Sequence, residues 1–425
     1  MTSFSTNSAG ESNTFSHTKN ANNKVALFSL ILLFFMMGFI TCLNDVLIPF
    51  LKNAFTLNYA QSMLIQFCFF MAYLVMSIPS GKLIELLGYK KAMIVGFVVA
   101  GIGCLLFLPA AQFREYILFL LALFILATGI TLLQVAANPY VAVLGSPETA
   151  SSRLTLTQAF NSLGTTLAPS FGSITILAFM VKPAAGEKLS ASEIAQNLQA
   201  VQLPYLGLAL VLFFIALVVF LLKLPSIRFE KTYKGTHKRA SIWQFRHLIL
   251  GTIGIFCYVG AEVAIGSFLI SFMGEKSVAG LNEEIAGKYL TFYWGGAMVG
   301  RFIGAWVLQK FAPPKVLFFN ACVAISLIII GISNTGELAM YSLLAVGLFN
   351  SLMFSTIFTL AVAELKEFTT QGSGILCTAI VGGAVVPALQ GVLADNVGLR
   401  WAFVLPILCY AYIAFFAKEG YKIKK

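Results

Sequence analysis

The stretch VALFSLILLFFMMGFITCLNDVLIPFL, residues 25–51, decides the fold of this chain. Its apolar length exceeds the about 20 residues that an α-helix needs to cross a bilayer. It nevertheless contains Asp45, and a carboxylate at the centre of a membrane helix costs roughly 2.5–3.5 kcal/mol even on the lenient insertion scale. The segment therefore predicts a membrane span that holds a candidate functional residue.

The composition extends this interpretation to all 425 residues. The chain is 59% hydrophobic and only 11% charged, and its mean hydropathy is +0.87. A soluble globule could not cover that much apolar surface, so we expect an all-α polytopic membrane protein. The net charge of +11 does not indicate a nucleic-acid partner, because the basic residues are spread over short connections.

Apolar segments of spanning length occur twelve times. We place the spans at 25–51, 60–80, 91–109, 116–144, 154–181, 204–224, 247–273, 286–309, 315–333, 337–363, 371–393 and 399–417. A basic stretch divides them into six and six. The predicted organisation is a disordered tail (1–23), an N-terminal half (24–224), a basic linker (225–245), a C-terminal half (246–418) and a short tail (419–425).

The orientation follows from the basic residues. Most of the 28 Lys and Arg fall on the even-numbered connections and the two tails, which the positive-inside rule assigns to the cytoplasm. The connection after span two and its weaker echo after span eight pair small residues with basic ones, and we expect them to brace their halves in one conformation. An ordinary positively charged loop is the alternative. The residues of this predicted motif are Gly81, Glu85, Gly88, Lys90, Lys91 and, in the echo, Gly300 and Arg301.

Two acidic residues occupy matching places, since Asp45 lies in the first span of one half and Glu262 in the first span of the other. Glu262 is about 24 Å along its helix from Arg246, close to the midplane, and Asp45 lies roughly 10 Å below the outer surface. Both are candidate ion-coupling groups. The alternatives are an aspartate kept ionised by water at the outer mouth and a structural glutamate held protonated.

Neutral amides recur along the spans. They donate and accept at once, which suits the hydroxyls of a sugar, although any single amide can equally hold two helices together. No Arg or Lys is expected deep in a span, so organic anions are disfavoured as substrates. The seven cysteines and three histidines suggest neither a disulfide framework nor a metal site. The candidate substrate-binding residues are Asn44, Gln66, Gln134, Asn138, Gln158, Asn161, Tyr258 and Asn350.

Several short stretches make the chain resemble the fucose/glucose/galactose sugar permeases of the major facilitator superfamily. They are LND at 43–45, QVAANPY at 134–140, QAFNSLG at 158–164 and YVGAEV at 258–263. The resemblance implies two pseudo-symmetric six-helix halves with a sugar bound between them, and it implies that Asp45 matches the proton-linked aspartate of the fucose permeases. Gln134 stands where the fucose branch has a glutamate, which favours the glucose/galactose branch.

Together these features predict a secondary active importer of a neutral hexose, coupled to protons and working by alternating access. Sodium coupling and transport of fucose or another hexose remain alternatives, as does a membrane sugar sensor. An enzyme is not expected, because no HExxH helix is present and the three histidines lie in the N-terminal tail and in the linker or at its edge. We expect no cofactor, no obligatory protein partner, contact with membrane lipid, a monomer, and a bacterial inner membrane with both termini cytoplasmic.

Overall fold

The computed structural model describes residues 20–55, 57, 59–175, 192–193, 197, 199, 201–222 and 241–423. Within these ranges the chain is helical and contains no strand. A helix pairs its own backbone polar groups, which is required where the bilayer core offers no water to pair them. The predicted tail (1–23) and linker (225–245) lie largely outside the described residues. The first helix begins at Asn20, so the predicted tail overlaps its first turn.

Each of the twelve predicted spans corresponds to helix, which confirms the all-α, twelve-span architecture. Nine of the described spans are long and apolar enough to be recognised by composition alone, and spans one, five and eight complete the set. The spans are Asn20–Ala54, Tyr59–Leu87, Tyr89–Leu105 with Phe107–Phe113, Tyr116–Val143, Ala150–Thr175, Gln202–Leu221, Arg246–Gly274, Glu283–Lys310, Pro313–Ser333, Gly336–Asn350 with Met353–Val362, Thr369–Thr378 with Gly382–Val397, and Leu399–Ala402 with Val404–Phe415.

The helix packing repeats between the two halves. In the N-terminal half, span one packs on span five, span two on span four, and span three on spans four and six. In the C-terminal half the equivalent pairs are seven with eleven, eight with ten, and nine with ten and twelve. Between the halves, span two packs on span eleven and span five on span eight. These two contacts are also related by the pseudo-two-fold symmetry.

The predicted bracing motif is helical rather than a loop. Span two continues to Leu87 and span three begins at Tyr89, so Gly88 alone connects them. Its φ of 78° is a left-handed conformation that glycine adopts without steric cost. We name this side of the bundle, where Gly88 joins spans two and three and residues 144–149 join spans four and five, the basic end.

Candidate functional site

The centre of the C-terminal half contains a buried ion pair. The carboxylate of Glu262 in span seven lies 3.5 Å from the guanidinium of Arg301 in span eight, and both side chains are largely shielded from solvent. Each charge therefore balances the other. The pair presents no net charge to a ligand, which preserves the conclusion that organic anions are disfavoured.

Arg301 corrects two sequence-based predictions. The sequence analysis predicts that Arg301 lies with Gly300 in the connection after span eight. In the structure span eight continues for nine further residues to Lys310, which puts Arg301 roughly 13 Å inside the helix. It is also the deep basic residue that we expected to be absent from the spans.

The guanidinium of Arg301 also reaches both halves of the molecule. Its Nε donates to the carbonyl oxygen of Ser351 at 3.1 Å, and its Nη1 donates to the hydroxyl of Ser162 in span five. Ser351 lies at the break of span ten, between the helices that end at Asn350 and begin at Met353. A cation is favourable there because the carbonyls at a helix C-terminus are unpaired.

A hydrogen-bonded chain holds the backbone around Glu262. Tyr293 donates to the carbonyl oxygen of Glu262 at 2.9 Å, Asn350 donates to the hydroxyl of Tyr293 at 2.9 Å, and Tyr410 donates to the amide oxygen of Asn350 at 2.6 Å. Both polar groups of Asn350 are thus bonded within the C-terminal half. The hydroxyl of Tyr258 interacts with both Glu262 and Arg301.

Gln134 and Asn161 of the N-terminal half hydrogen-bond within their own half. Gln134 donates to the hydroxyl of Tyr73 at 3.1 Å, joining spans four and two. Asn161 donates to the carbonyl oxygen of Phe34 at 3.0 Å and so joins spans five and one. Gln66 and Gln158 are half-buried. Asn44 and Asp45 belong to the helix of span one, and their side chains lie outside the described residues.

Two buried amides make no hydrogen bond. Asn138 in span four and Gln390 in span eleven are fully buried, and neither their oxygens nor their nitrogens are paired. An unpaired buried polar group costs about 1–3 kcal/mol. For Asn138 a role in substrate binding stays a prediction, because its side chain is fully buried in this structure.

Two residues of the bracing motif, Gly81 and Arg301, lie at the contact between the halves. A Cβ on Gly81 would meet the carbonyl oxygen of Thr370 in span eleven at 3.3 Å, and the hydroxyls of Tyr89 and Thr370 are 3.2 Å apart. Lys90 donates to the carbonyl oxygen of Phe220 at 2.7 Å, at the end of span six. Glu85 and Lys91 are exposed.

Small hydroxyl side chains close the basic end, and we call this set of contacts the seam. The hydroxyls of Ser151 and Thr359 are 2.6 Å apart and those of Thr155 and Ser355 2.5 Å apart. Ser152 donates to the carbonyl oxygen of Ala305 at 2.5 Å. Each contact joins span five to the other half. Hydroxyls can exchange such bonds for water at little cost, as a contact that opens and closes requires.

An apolar cavity of about 970 Å³ lies between spans one, five and six. Its wall includes Phe35, Phe39, Phe171 and Leu203, with Thr175 and Gln199 as its polar members. A sugar needs several placed hydrogen-bonding groups, so this cavity does not suit one. Within the described residues, no three His, Cys, Asp or Glu side chains cluster so as to hold a metal ion.

The predictions assigned Arg301 to the bracing motif rather than to the site, and they missed Ser162 and Tyr410. For Arg301 a signal existed, since its distance from Lys310 places it inside the span. Ser162 and Tyr410 are residue types that occur throughout membrane helices, and only the packing of spans five, eight, ten and twelve brings them into the site.

Comparison with known proteins identifies the family that the sequence motifs resemble. The sequence profile of the Major Facilitator Superfamily matches residues 28–380. The chain is 56% identical over 411 residues to the glucose/galactose transporter of Brucella abortus biovar 1 (strain 9-941), covering 96% of this chain and 97% of the relative. It is 35% identical over 399 residues to the L-fucose-proton symporter of Escherichia coli (strain K12), covering 91% of each.

A solved structure is also similar. The crystal structure of the Major Facilitator Superfamily transporter FucP in the outward conformation superposes with a TM-score of 0.86 at 33% sequence identity, covering 93% of this chain and 99% of that one. Because it covers 93% of this chain, the superposition extends over both halves.

Proposed function

The chain belongs to the Major Facilitator Superfamily, where it is a sugar transporter, and from that premise we propose that it imports a neutral hexose, glucose or galactose, by proton symport. The observation on which this rests is its 56% identity, over almost its full length, to a glucose/galactose transporter. The site agrees, because it offers amides and tyrosines and an ion pair with no net charge.

Alternating access supplies the mechanism. The seam closes the basic end, and the positive-inside rule assigns that end to the cytoplasm. In this proposal the structure is the state that is closed to the cytoplasm and accessible to sugar from the outside. Sugar enters from that side, the halves rock about the central site, and the seam opens to release the sugar inward. Because binding is reciprocally linked, sugar and coupling ion strengthen each other's affinity.

Asp45 is the proposed coupling carboxylate, with Glu262 contributing through its pairing with Arg301. Burial favours the neutral form of a carboxylate, so a proton taken up at Asp45 outside would be released when the group meets the wet cytoplasmic path. The proposed setting is a monomer in a bacterial inner membrane with both termini cytoplasmic and lipid around the bundle.

The experiment is uptake of labelled glucose into proteoliposomes of the purified protein, under an imposed pH gradient and separately under a sodium gradient. Accumulation with the pH gradient alone is expected, and unlabelled galactose should compete more strongly than fucose. Accumulation with sodium alone would replace the proton by sodium and make Asp45 part of a cation site. Failure of both gradients, with binding but no counterflow, would leave a sugar sensor.

A further inference from the structure

Arg301 is the one side chain of the buried ion pair that contacts both halves. Its fork of donors reaches the Glu262 carboxylate and the Ser351 carbonyl in the C-terminal half, and the Ser162 hydroxyl in the N-terminal half. The five N–H donors of a guanidinium have a fixed planar geometry. Satisfying three groups on spans five, seven and ten therefore fixes the relative position of those spans.

The residues that Arg301 contacts on spans five and ten lie on the same helices as the seam. On span five, Ser162 lies two turns beyond Thr155 on the same helix face. On span ten, Ser355 follows Ser351 by one turn, and Thr155 and Ser355 contact each other. Arg301 thus connects spans five and ten deeper in the bundle than the hydroxyl contact of Thr155 with Ser355.

The counter-charge of Arg301 comes from Glu262. A guanidinium among membrane helices is stable only when it is paired or wet, so Glu262 is what permits Arg301 to stay extended towards Ser162. The titratable and charged groups that face Glu262 are Tyr258 on its own span, Arg301 and Tyr293 on span eight, and Tyr410 on span twelve.

We propose that Arg301 is a latch between the halves, which holds the basic end closed through Ser162 while Glu262 is ionised and releases it when Glu262 is neutralised. Arg301 is a positioning residue in this scheme, because it acts through Glu262 and the seam. The proposal rests on the proposed transport function, and it names the group that connects the charge of the site to the closure of the bundle.

The test measures closure without sugar or an ion gradient. Ser152, which is buried in the seam, is replaced by cysteine, and its reaction with a water-soluble maleimide is followed on the tryptic peptide 115–153, which contains no native cysteine. Arg301→Gln and Ser162→Ala should each raise the labelling rate roughly tenfold, the equilibrium shift that a lost hydrogen bond to a charged group implies.

Matched controls separate a latch from general loosening. Arg400→Gln removes a guanidinium that bonds Asn334 and Ser277, both within the C-terminal half. Ser342→Ala removes a buried hydroxyl bonded within its own span. Both controls should leave the labelling rate of residue 152 unchanged. Equal rises in variants and controls, or no rise with Ser162→Ala, which removes a single oxygen, would overturn the latch.

A second arm tests the dependence on Glu262. The labelling rate is measured from alkaline to acidic pH in the Ser152→Cys chain with Glu262 and with Glu262→Gln, and the ratio of the two rates cancels the pH dependence of the thiol. The ratio should approach one as the pH falls, since protonation and amidation both give a neutral side chain. A ratio that stays constant and differs from one would overturn control by Glu262. Because no substrate is used, the result is independent of whether the transported sugar is a hexose.

Discussion

At the scale of single residues, we propose different roles for the two acidic groups in the spans. Glu262 has a fixed counter-charge in Arg301, so neutralising it disturbs an arrangement of helices. Asp45 stands in span one, on a different half. A proton that moves with each sugar is best placed on a carboxylate that can change its protonation state as the site opens and closes. We propose Asp45 for that role.

We therefore expect Asp45→Asn to keep exchange of bound sugar while losing accumulation against a gradient. The amide has nearly the size of the carboxyl group and, like a protonated carboxyl, can both donate and accept a hydrogen bond, but it cannot bind or release a proton. Counterflow of labelled sugar and gradient-driven uptake in the same proteoliposome preparation measure the two activities. Unchanged accumulation would remove Asp45 from the coupling mechanism.

Asn350 has a different expected effect from the one its sequence suggested. Its amide joins Tyr293 to Tyr410, so Asn350→Ala leaves a buried hydroxyl unpaired and should lower the free energy of unfolding by about 1–3 kcal/mol. Asn396→Ala is the control, since Asn396 bonds only its own span and should change stability by less than about 0.5 kcal/mol. Thermal unfolding in detergent compares them. Loss of sugar binding at unchanged stability would instead support a direct contact with the sugar.

The sequence identified which polar residues lie within spans but not their partners. Glu262 and Arg301 are 39 positions apart on different helices, and no periodicity connects them. A residue's depth follows from counting along its own helix, whereas its neighbours depend on how two helices are rotated about their axes. That rotation is set by many small packing contacts.

Among the elements, spans one and five form the tightest described helix pair of the N-terminal half. A Cβ on Gly164 would meet the carbonyl oxygen of Phe35 at 2.2 Å, and one on Gly38 would meet that of Asn161 at 2.0 Å. Small residues allow membrane helices to approach at backbone distance. The two glycines therefore hold span one, with Asp45, in a fixed register against span five, with Asn161.

Gly164→Ala should accordingly destabilise the protein by about 1–3 kcal/mol, because neither backbone can move away from the added methyl group without separating the spans. Gly207→Ala in span six is the matched control. Nothing lies within 4 Å of its added Cβ, so the better helix propensity of alanine should stabilise span six by up to about 1 kcal/mol. Melting temperatures of the two variants should shift in opposite directions. A tolerated Gly164→Ala would mean that the helices are farther apart.

The spans themselves could be located from apolar length alone, and their breaks could not. Span ten is interrupted at Ser351 and Leu352, where Arg301 takes the freed carbonyl of Ser351. The local sequence, Asn350-Ser351-Leu352, contains no proline or glycine that would predict a helix break. The interruption depends on a donor from another helix, which is a tertiary effect.

For the whole molecule, the closure of the basic end is the property with functional consequences. Hydroxyl pairs between spans five and ten and the contact of Tyr89 with Thr370 close the basic end. A transporter must break these contacts in every cycle. Closing them permanently should therefore stop transport in a way that identifies which side the basic end faces.

We expect a disulfide between cysteines at positions 155 and 355 to trap the state closed at the basic end. The hydroxyls of Thr155 and Ser355 are 2.5 Å apart, and side chains in such contact bring their Cβ atoms near the about 3.5–4.5 Å that a disulfide spans. Oxidation of Thr155→Cys/Ser355→Cys should abolish net uptake while sugar still binds from the extracellular side, and a reductant should restore uptake.

The parent chain and each single variant, oxidised in the same way, control for the seven native cysteines. If the oxidised protein instead bound sugar only from the cytoplasmic side, the basic end would face outwards, and the orientation derived from the positive charges would be reversed.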